Sequence, residues 1–172
     1  MISPIYMALG SACMTHARLP RYTFLVIQGD FAGARALASE AKQACTDVFS
    51  ESCLAQAAAD MSILLGDYEQ AESLYASSVS VLSGSPYLNA VSCRVTGIQA
   101  LFQNRFDVAT HCFRRNTEET VAVEYRLESY ATLALIYREV GLDKNAYENY
   151  LKLRSLVEQT SRKDWRELSN LL

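Results

Sequence analysis

The stretch Gly66-Asp67-Tyr68-Glu69-Gln70-Ala71 decides the fold, because the chain repeats its pattern at regular intervals. Related stretches begin at Gly29, Asn104 and Gly141, with successive spacings of 37, 38 and 37 residues. Each stretch follows a run whose apolar residues recur with helical spacing, and each opens another such run. A period of about 20 to 50 residues is typical of repeat proteins. The sequence therefore predicts four copies of one helix–turn–helix unit.

The turn inside each unit is built from residue types with strong conformational preferences. Gly, or Asn in the third copy, adopts the left-handed conformation that ends a helix at low steric cost. Asp30 and Asp67 follow directly, and a carboxylate there can accept hydrogen bonds from the free amides of the next helix. A small Ala, four residues after the cap position and three after the aromatic residue that follows it, lets the two helices approach closely. We therefore expect a left-handed turn residue in every copy and a side-chain cap in two copies.

The repeats predict an all-α fold, in one domain that spans residues 1–172. Only 7 Gly and 3 Pro occur among 172 residues, which favours a helical chain over an all-β fold rich in turns. The predicted helix pairs are 15–28 with 31–47, 51–65 with 68–82, 87–103 with 106–119, and 121–140 with 143–159, and a capping helix is predicted at 163–171.

The repeated residues resemble the tetratricopeptide repeat (TPR) family, whose pattern is about W-x2-L-G-x2-Y followed by G-x-[YF]-x2-A-x3-[FY]. The copies that carry the resemblance contain Tyr130-x2-Leu133-Ala134-x2-Tyr137, Gly66-Asp67-Tyr68-x2-Ala71-x3-Tyr75, and Gly97 with Phe106, Ala109 and Phe113. The resemblance covers residues 15–159 and implies a right-handed superhelical solenoid. Its long period is similar to that in the regulatory domains of the maltose-regulon activator and other LuxR-type regulators. The chain is then either a free-standing repeat protein or part of a longer regulator.

The resemblance also implies that a protein or peptide partner binds the concave groove formed by the first helices. The residues that this mapping places in the groove are Gln56, Asp60, Ile63, Arg94, Ile98, Leu101, Glu128, Ala131 and Arg138. Arg94 and Arg138 are the strongest candidates, because Arg is enriched among interface anchors. The competing interpretation is helix packing for the aliphatic residues and solvated surface for the charged ones. In that interpretation Asp60 pairs with one of the two arginines.

Two further tyrosines are candidates for a second interface. Tyr125 and Tyr147 occupy positions to which the repeat pattern assigns no core role. Tyr combines a large amphipathic surface with a low entropy cost on binding. We therefore predict that these two side chains contact a partner.

The sequence offers no constellation that favours catalysis, so we expect a protein that is not an enzyme and has no cofactor. It lacks a P-loop, a dinucleotide-binding glycine motif and a nucleophile elbow. The five Cys have no C-x-x-C spacing, which predicts buried thiols in a reducing compartment. Two His and scattered Cys do not supply the four converging ligands of a zinc site.

Charge and hydropathy exclude other partners and favour a cytoplasmic protein. A net charge of −3 provides no basic surface for nucleic acid, and no apolar run is long enough to cross a membrane. Residues 1–13 faintly resemble a lipoprotein export signal, although they lack a basic segment. Whether this segment is a helix or a weak export signal stays open.

Three functions fit these features. The first is a regulatory scaffold or adaptor that binds a protein or peptide. The second is a secretion-type chaperone that holds a client protein in the groove. The third is the small-molecule-sensing domain of a transcriptional regulator. Self-association is also expected, because the end units of a repeat stack expose apolar faces unless they are capped.

Overall fold

The computed structural model describes residues 29–30, 32–34, 36, 48–160 and 166 of the chain. Within these residues all regular secondary structure is helical, which confirms the predicted all-α class. The helices are α1 (Val48–Leu64), α2 (Tyr68–Ser80), α3 (Leu88–Phe102), α4 (Phe106–Arg115), α5 (Val123–Glu139) and α6 (Asp143–Thr160). The superhelical arrangement and the single domain stay predictions.

The chain divides into two compact units, residues 1–92 and residues 93–172. In the first unit, α1 packs against α2 as the two helices of one predicted repeat. In the second unit, α5 packs against α6 in the same way, and α4 packs against α5 of the following repeat.

The left-handed turn recurs in all four copies, as the residue types predict. The backbone φ angle is 77° at Gly29, 81° at Gly66, 55° at Asn104 and 76° at Gly141. Among the described residues Asn104 is the one non-glycine with a positive φ. Asn tolerates this conformation better than other side chains, so the third copy keeps the turn without glycine.

The hydrogen bonds of this turn are also the same in three copies. The amide of the turn residue donates a hydrogen bond to the carbonyl three residues earlier. The amide of the next residue donates to the carbonyl five residues before it, which is the Schellman pattern. The first set joins Gly66 to Ile63, Asn104 to Leu101 and Gly141 to Arg138 at 2.9, 3.1 and 3.1 Å. The second set joins Asp67 to Ser62, Arg105 to Ala100 and Leu142 to Tyr137, each at 2.8 Å.

Both predicted Asp caps are confirmed. Oδ1 of Asp30 accepts a hydrogen bond from the amide of Gly33 at 2.9 Å. Oδ1 of Asp67 accepts one from the amide of Gln70 at 3.1 Å. In the third copy Arg105 occupies the cap position of α4 and makes no side-chain cap.

Gly97, which belongs to the repeat pattern, lies at a close helix contact within the second unit. A Cβ added to Gly97 would lie 2.8 Å from the Cε2 atom of the Phe113 ring. This separation is shorter than van der Waals contact, so a side chain at this position would displace the ring. The glycine therefore allows α3 and α4 to approach around the buried Phe113 side chain.

The helix boundaries differ from the predicted ones by up to four residues. The largest difference is at α4, which ends at Arg115 and not at residue 119. The hydroxyl of Thr117 donates a hydrogen bond to the carbonyl of Arg114 at 2.7 Å, and such a local bond competes with helix continuation. Most of the first helix pair and of the capping helix at 163–171 lies outside the described residues.

Candidate functional site

The predicted groove residues lie mainly in the interior of the protein. Eight of the nine are buried, namely Gln56, Asp60, Ile63, Arg94, Ile98, Leu101, Glu128 and Ala131. The ninth, Arg138 in the last turn of α5, is exposed. Their role in partner binding stays a prediction, and the structure adds which groups hold the polar members in place.

In the first unit a polar stripe runs along α1. Ser52, Gln56 and Asp60 are four residues apart and therefore share one helix face. The side-chain amide of Gln56 donates to the carbonyl and the hydroxyl of Ser52, both at 3.3 Å. The hydroxyl of Ser52 donates to the carbonyl of Ser78 at 2.7 Å. The stripe thus joins α1 to the end of α2 through hydrogen bonds.

At the other end of the stripe the carboxylate of Asp60 accepts a hydrogen bond from the hydroxyl of Tyr75. Both residues are buried, at 0% and 1% exposure. A buried carboxylate requires hydrogen-bond partners, because its transfer from water is costly. The repeat pattern predicts the aromatic ring at position 75, whereas it does not predict that the hydroxyl holds Asp60.

In the second unit Arg94 of α3 forms an ion pair with Glu128 of α5. Nε of Arg94 lies 2.8 Å from Oε1 and 3.0 Å from Oε2 of Glu128. Each side chain is only 1% exposed. Charge-assisted hydrogen bonds of this kind are stronger than neutral ones. Removal of either residue would leave the other as a buried charge without this partner.

Both members of this ion pair are predicted groove residues, but the prediction did not include their contact with each other. The two residues are 34 positions apart, close to the repeat period, and lie on the first helices of consecutive repeats. Opposite charges at nearly one period are a signal that would have identified the pair. The same reasoning finds Ser52, which lies one helical turn before Gln56 on the predicted face.

The two tyrosines proposed for a second interface have opposite environments. Tyr125 is 0% exposed, so its side chain contacts the interior of the protein. Tyr147 of α6 is 62% exposed. Only Tyr147 therefore presents its ring to solvent.

None of the cysteines that the structure describes takes part in a disulfide bond. Cys53 and Cys112 are buried and Cys93 is half-buried, while Cys13 and Cys45 lie outside the described residues. Burial raises the pKa of the Cys112 thiol above its ordinary value. The neighbouring Cys93 raises this pKa further, and Arg115 lowers it. A raised pKa makes the thiol a weak nucleophile at neutral pH.

No group of three or more His, Cys, Asp or Glu side chains converges within the described residues in a way that could bind a metal ion. No described helix combines the length and the apolar character that a membrane span needs.

Comparison with known proteins finds one informative relative. The chain is 30% identical over 169 residues to "Regulatory protein HrpB" of Ralstonia nicotianae (strain ATCC BAA-1114 / GMI1000). The alignment covers 96% of this chain and 35% of the relative, so the chain spans about a third of that protein's length. No protein-family model matches the chain, and no solved structure matches it. The likeness to tetratricopeptide repeats therefore rests on the repeated turns.

Proposed function

We propose that this chain is a non-catalytic helical-repeat module that binds a protein or peptide and acts in regulation. In this proposal the first helices of successive repeats line a concave groove of a TPR-like superhelix, and the partner binds along that groove. The role is exercised in a reducing compartment such as the cytoplasm, where the thiols of Cys53, Cys93 and Cys112 stay reduced.

The observation that carries the regulatory part is the alignment with the Ralstonia protein. It extends over 96% of this chain, so the whole repeat array, and not a short motif, has its counterpart in a protein named as regulatory. The binding part is supported by the repeated turn, because arrays of helix pairs form extended surfaces that commonly bind other polypeptides. The activity and partners of the full-length relative are no more than a guide to those of this chain.

The burial pattern refines which groove residue a partner would contact. The buried polar residues Asp60, Arg94 and Glu128 act in this proposal as supports that hold the first helices in register. Arg138 is exposed and carries a guanidinium, which can bind a carboxylate of a partner in a bidentate manner. We therefore assign Arg138 as the principal anchor among the predicted groove residues.

A binding experiment with a matched control tests this proposal. Partners are captured by crosslinking to the purified chain, identified by mass spectrometry, purified, and titrated against the chain by calorimetry. We expect Arg138→Ala to weaken binding by about tenfold or more, as for a hot-spot arginine. Arg105→Ala is the control, because Arg105 is an exposed arginine at a turn and lies outside the predicted groove.

Three results would contradict the proposal. Equal affinity of both variants would show that the groove assignment is wrong. Thermal stabilisation by a metabolite, without any protein partner, would favour a small-molecule-sensing domain. Suppression of aggregation of an unfolded secreted client, without a folded partner, would favour a chaperone.

A further inference from the structure

The exposed apolar side chains are concentrated near the start of α6. Seven large apolar residues of the described part are exposed, and four of them, Val140, Leu142, Tyr147 and Leu151, lie within one stretch of the second unit. Tyr147 and Leu151 are four residues apart on α6, so they lie on the same helix face. Their exposed fractions are 62% and 44%. This pair therefore forms a continuous apolar surface along one face of α6.

The repeat register indicates that this face is arranged to receive a helix. Leu151 corresponds to Arg114 in the preceding copy, 37 residues earlier. There α4 packs against α5, and the guanidinium carbon of Arg114 lies 5.8 Å from the centre of the Tyr137 ring. The position through which the third copy contacts the following helix thus carries an exposed leucine in the fourth copy. The α6 face continues, one repeat later, an interface that the second unit already uses.

The charges around this apolar pair are arranged symmetrically. At about 100° per residue, Lys144, Glu148, Arg154 and Glu158 all lie within about 60° of Leu151 on the helix surface. If two α6 helices pair antiparallel about a twofold axis with Leu151 at the centre, Lys144 of each copy lies near the contact line and faces Glu158 of the other copy. Glu148 and Arg154 lie on opposite flanks of that line. The shifted register that places Tyr147 against Leu151 loses this pairing and instead brings Lys144 level with Arg154, which has the same charge. Charge complementarity therefore favours the register centred on Leu151 over the shifted one.

The same register also fits the side chains in size and connects the charges into a network. Tyr147 lies level with Ser155 of the other copy, whose small side chain leaves room for the aromatic ring. Within one copy Nε of Arg154 already lies 3.3 Å from Oε1 of Glu158. Addition of Lys144 from a second copy produces a row of three charges that alternate in sign. Networks of this kind contribute more than isolated surface pairs.

We propose that α6 is a self-association surface through which two copies of this chain form a dimer about a twofold axis beside Leu151. An isologous twofold dimer is the most common assembly of identical chains. An α-helix of this length is about 27 Å long. Pairing of two such helices alone buries less than the roughly 1,200 Å² of a standard stable interface, so the dimer is weak and depends on concentration. This inference does not depend on the proposed partner-binding function.

Sedimentation velocity between micromolar and millimolar concentration tests the dimer. We expect the wild-type protein to dimerise reversibly and Leu151→Lys to remain monomeric over the whole range. Lys144→Glu should raise the dissociation constant about tenfold, because two ion pairs become two repulsive pairs. The double variant Lys144→Glu/Glu158→Lys should restore the affinity. Lys152→Glu, an exposed residue about 100° away from Leu151, is the control and should leave dimerisation unchanged.

A crosslinking experiment tests the geometry. Under mild oxidation Leu151→Cys should form a disulfide that joins position 151 of two copies, identified by mass spectrometry, whereas Lys152→Cys should not. Circular dichroism checks that each exposed-site variant keeps its helical content.

Two results would overturn the proposal. One is a wild-type protein that stays monomeric at millimolar concentration. If Leu151→Cys then also reacts slowly with a water-soluble maleimide, residues 161–172 of the same chain or a bound second protein cover the face. The other result is a dimer that Leu151→Lys does not weaken, because association must then use a different surface.

Discussion

The two units stabilise their buried polar side chains in different ways. In the first unit, the carboxylate of Asp60 is held by the neutral hydroxyl of Tyr75, fifteen residues later in the same helix pair. In the second unit, Arg94 and Glu128 neutralise each other across two repeats. The first arrangement ties together the helices of one hairpin, and the second ties together consecutive hairpins.

This difference has an energetic consequence. Loss of the Tyr75 hydroxyl removes a neutral donor from Asp60 and leaves the net charge of the buried pair unchanged. Loss of Arg94 or Glu128 changes the net charge of the buried pair from zero to one, in a medium of low dielectric constant. The second unit should therefore be more sensitive than the first to loss of one polar side chain.

The largest expected effect is that of Arg94→Met, which keeps a long apolar side chain and removes the charge. We expect the free energy of unfolding to fall by about 3–5 kcal/mol, because Glu128 stays buried without its guanidinium partner. Urea denaturation followed by circular dichroism measures this change.

The double variant Arg94→Met/Glu128→Leu isolates the role of charge in this effect. With both charges removed, most of the lost stability should return, since apolar replacements of buried ion pairs are often neutral or stabilising. A double variant as unstable as Arg94→Met alone would contradict the view that burial of an unmatched charge causes the loss.

A smaller effect is expected for Tyr75→Phe in the first unit. This variant keeps the ring in the core and removes only the hydroxyl that donates to Asp60. The loss should be about 1–3 kcal/mol, in the range for a buried group that loses one hydrogen-bond partner. Tyr68→Phe is the matched control, because Tyr68 is exposed and its change should stay within about 0.5 kcal/mol. If Tyr75→Phe costs as much as Arg94→Met, the two units do not differ in the proposed way.

A third prediction compares the helix caps of the two units. Asp67→Ala removes the side-chain cap of α2 and should cost about 1 kcal/mol. Arg105→Ala changes the equivalent position before α4, where no side-chain cap exists, and should cost less than about 0.5 kcal/mol. Thermal denaturation of both variants measures the difference, and equal costs would show that the Asp67 cap contributes nothing to stability.

The smallest effect concerns the pH dependence that Cys112 contributes to the second unit. Because burial raises its pKa, the folded protein holds the thiol proton more tightly than the unfolded chain does. Its contribution to stability is therefore complete below the unfolded pKa and decreases as the pH rises towards the folded pKa.

Cys112→Ala removes this titrating group and should reveal its contribution. The stability advantage of wild type over Cys112→Ala should be smaller at alkaline pH than at pH 7, as measured by urea denaturation at both pH values. A stability advantage of wild type that grows with pH would contradict a raised Cys112 pKa in the folded protein.

Local features of the fold were predictable because they depend on few neighbouring residues. The left-handed turns at Gly66, Asn104 and Gly141 follow from residue type, and the Asp caps follow from short hydrogen-bonding side chains. The repeat pattern selected Gly97, whereas only the structure shows that the residue it contacts is Phe113. Helix ends were less accurate, since side-chain bonds such as that of Thr117 compete with the helix there.

The candidate site was predictable only in part. The resemblance to tetratricopeptide repeats places Gln56, Asp60, Arg94 and Glu128 on predicted inner faces, but it does not state how deeply a face is buried. Burial depends on the packing of whole helices, and the partner of Arg94 depends on the axial offset between α3 and α5. Neither quantity is encoded in a short window of sequence.

The sequence by itself determined the all-α class, the positions of the repeated turns and the residues that form them. These features follow from backbone sterics and local hydrogen bonds, which act over a few residues. Only the tertiary structure decided that Asp60 bonds to Tyr75, that Arg94 pairs with Glu128 and that Tyr147 is exposed while Tyr125 is buried. Those outcomes arise when helices pack, because packing excludes water from some polar groups and requires each of them to find a partner inside the protein.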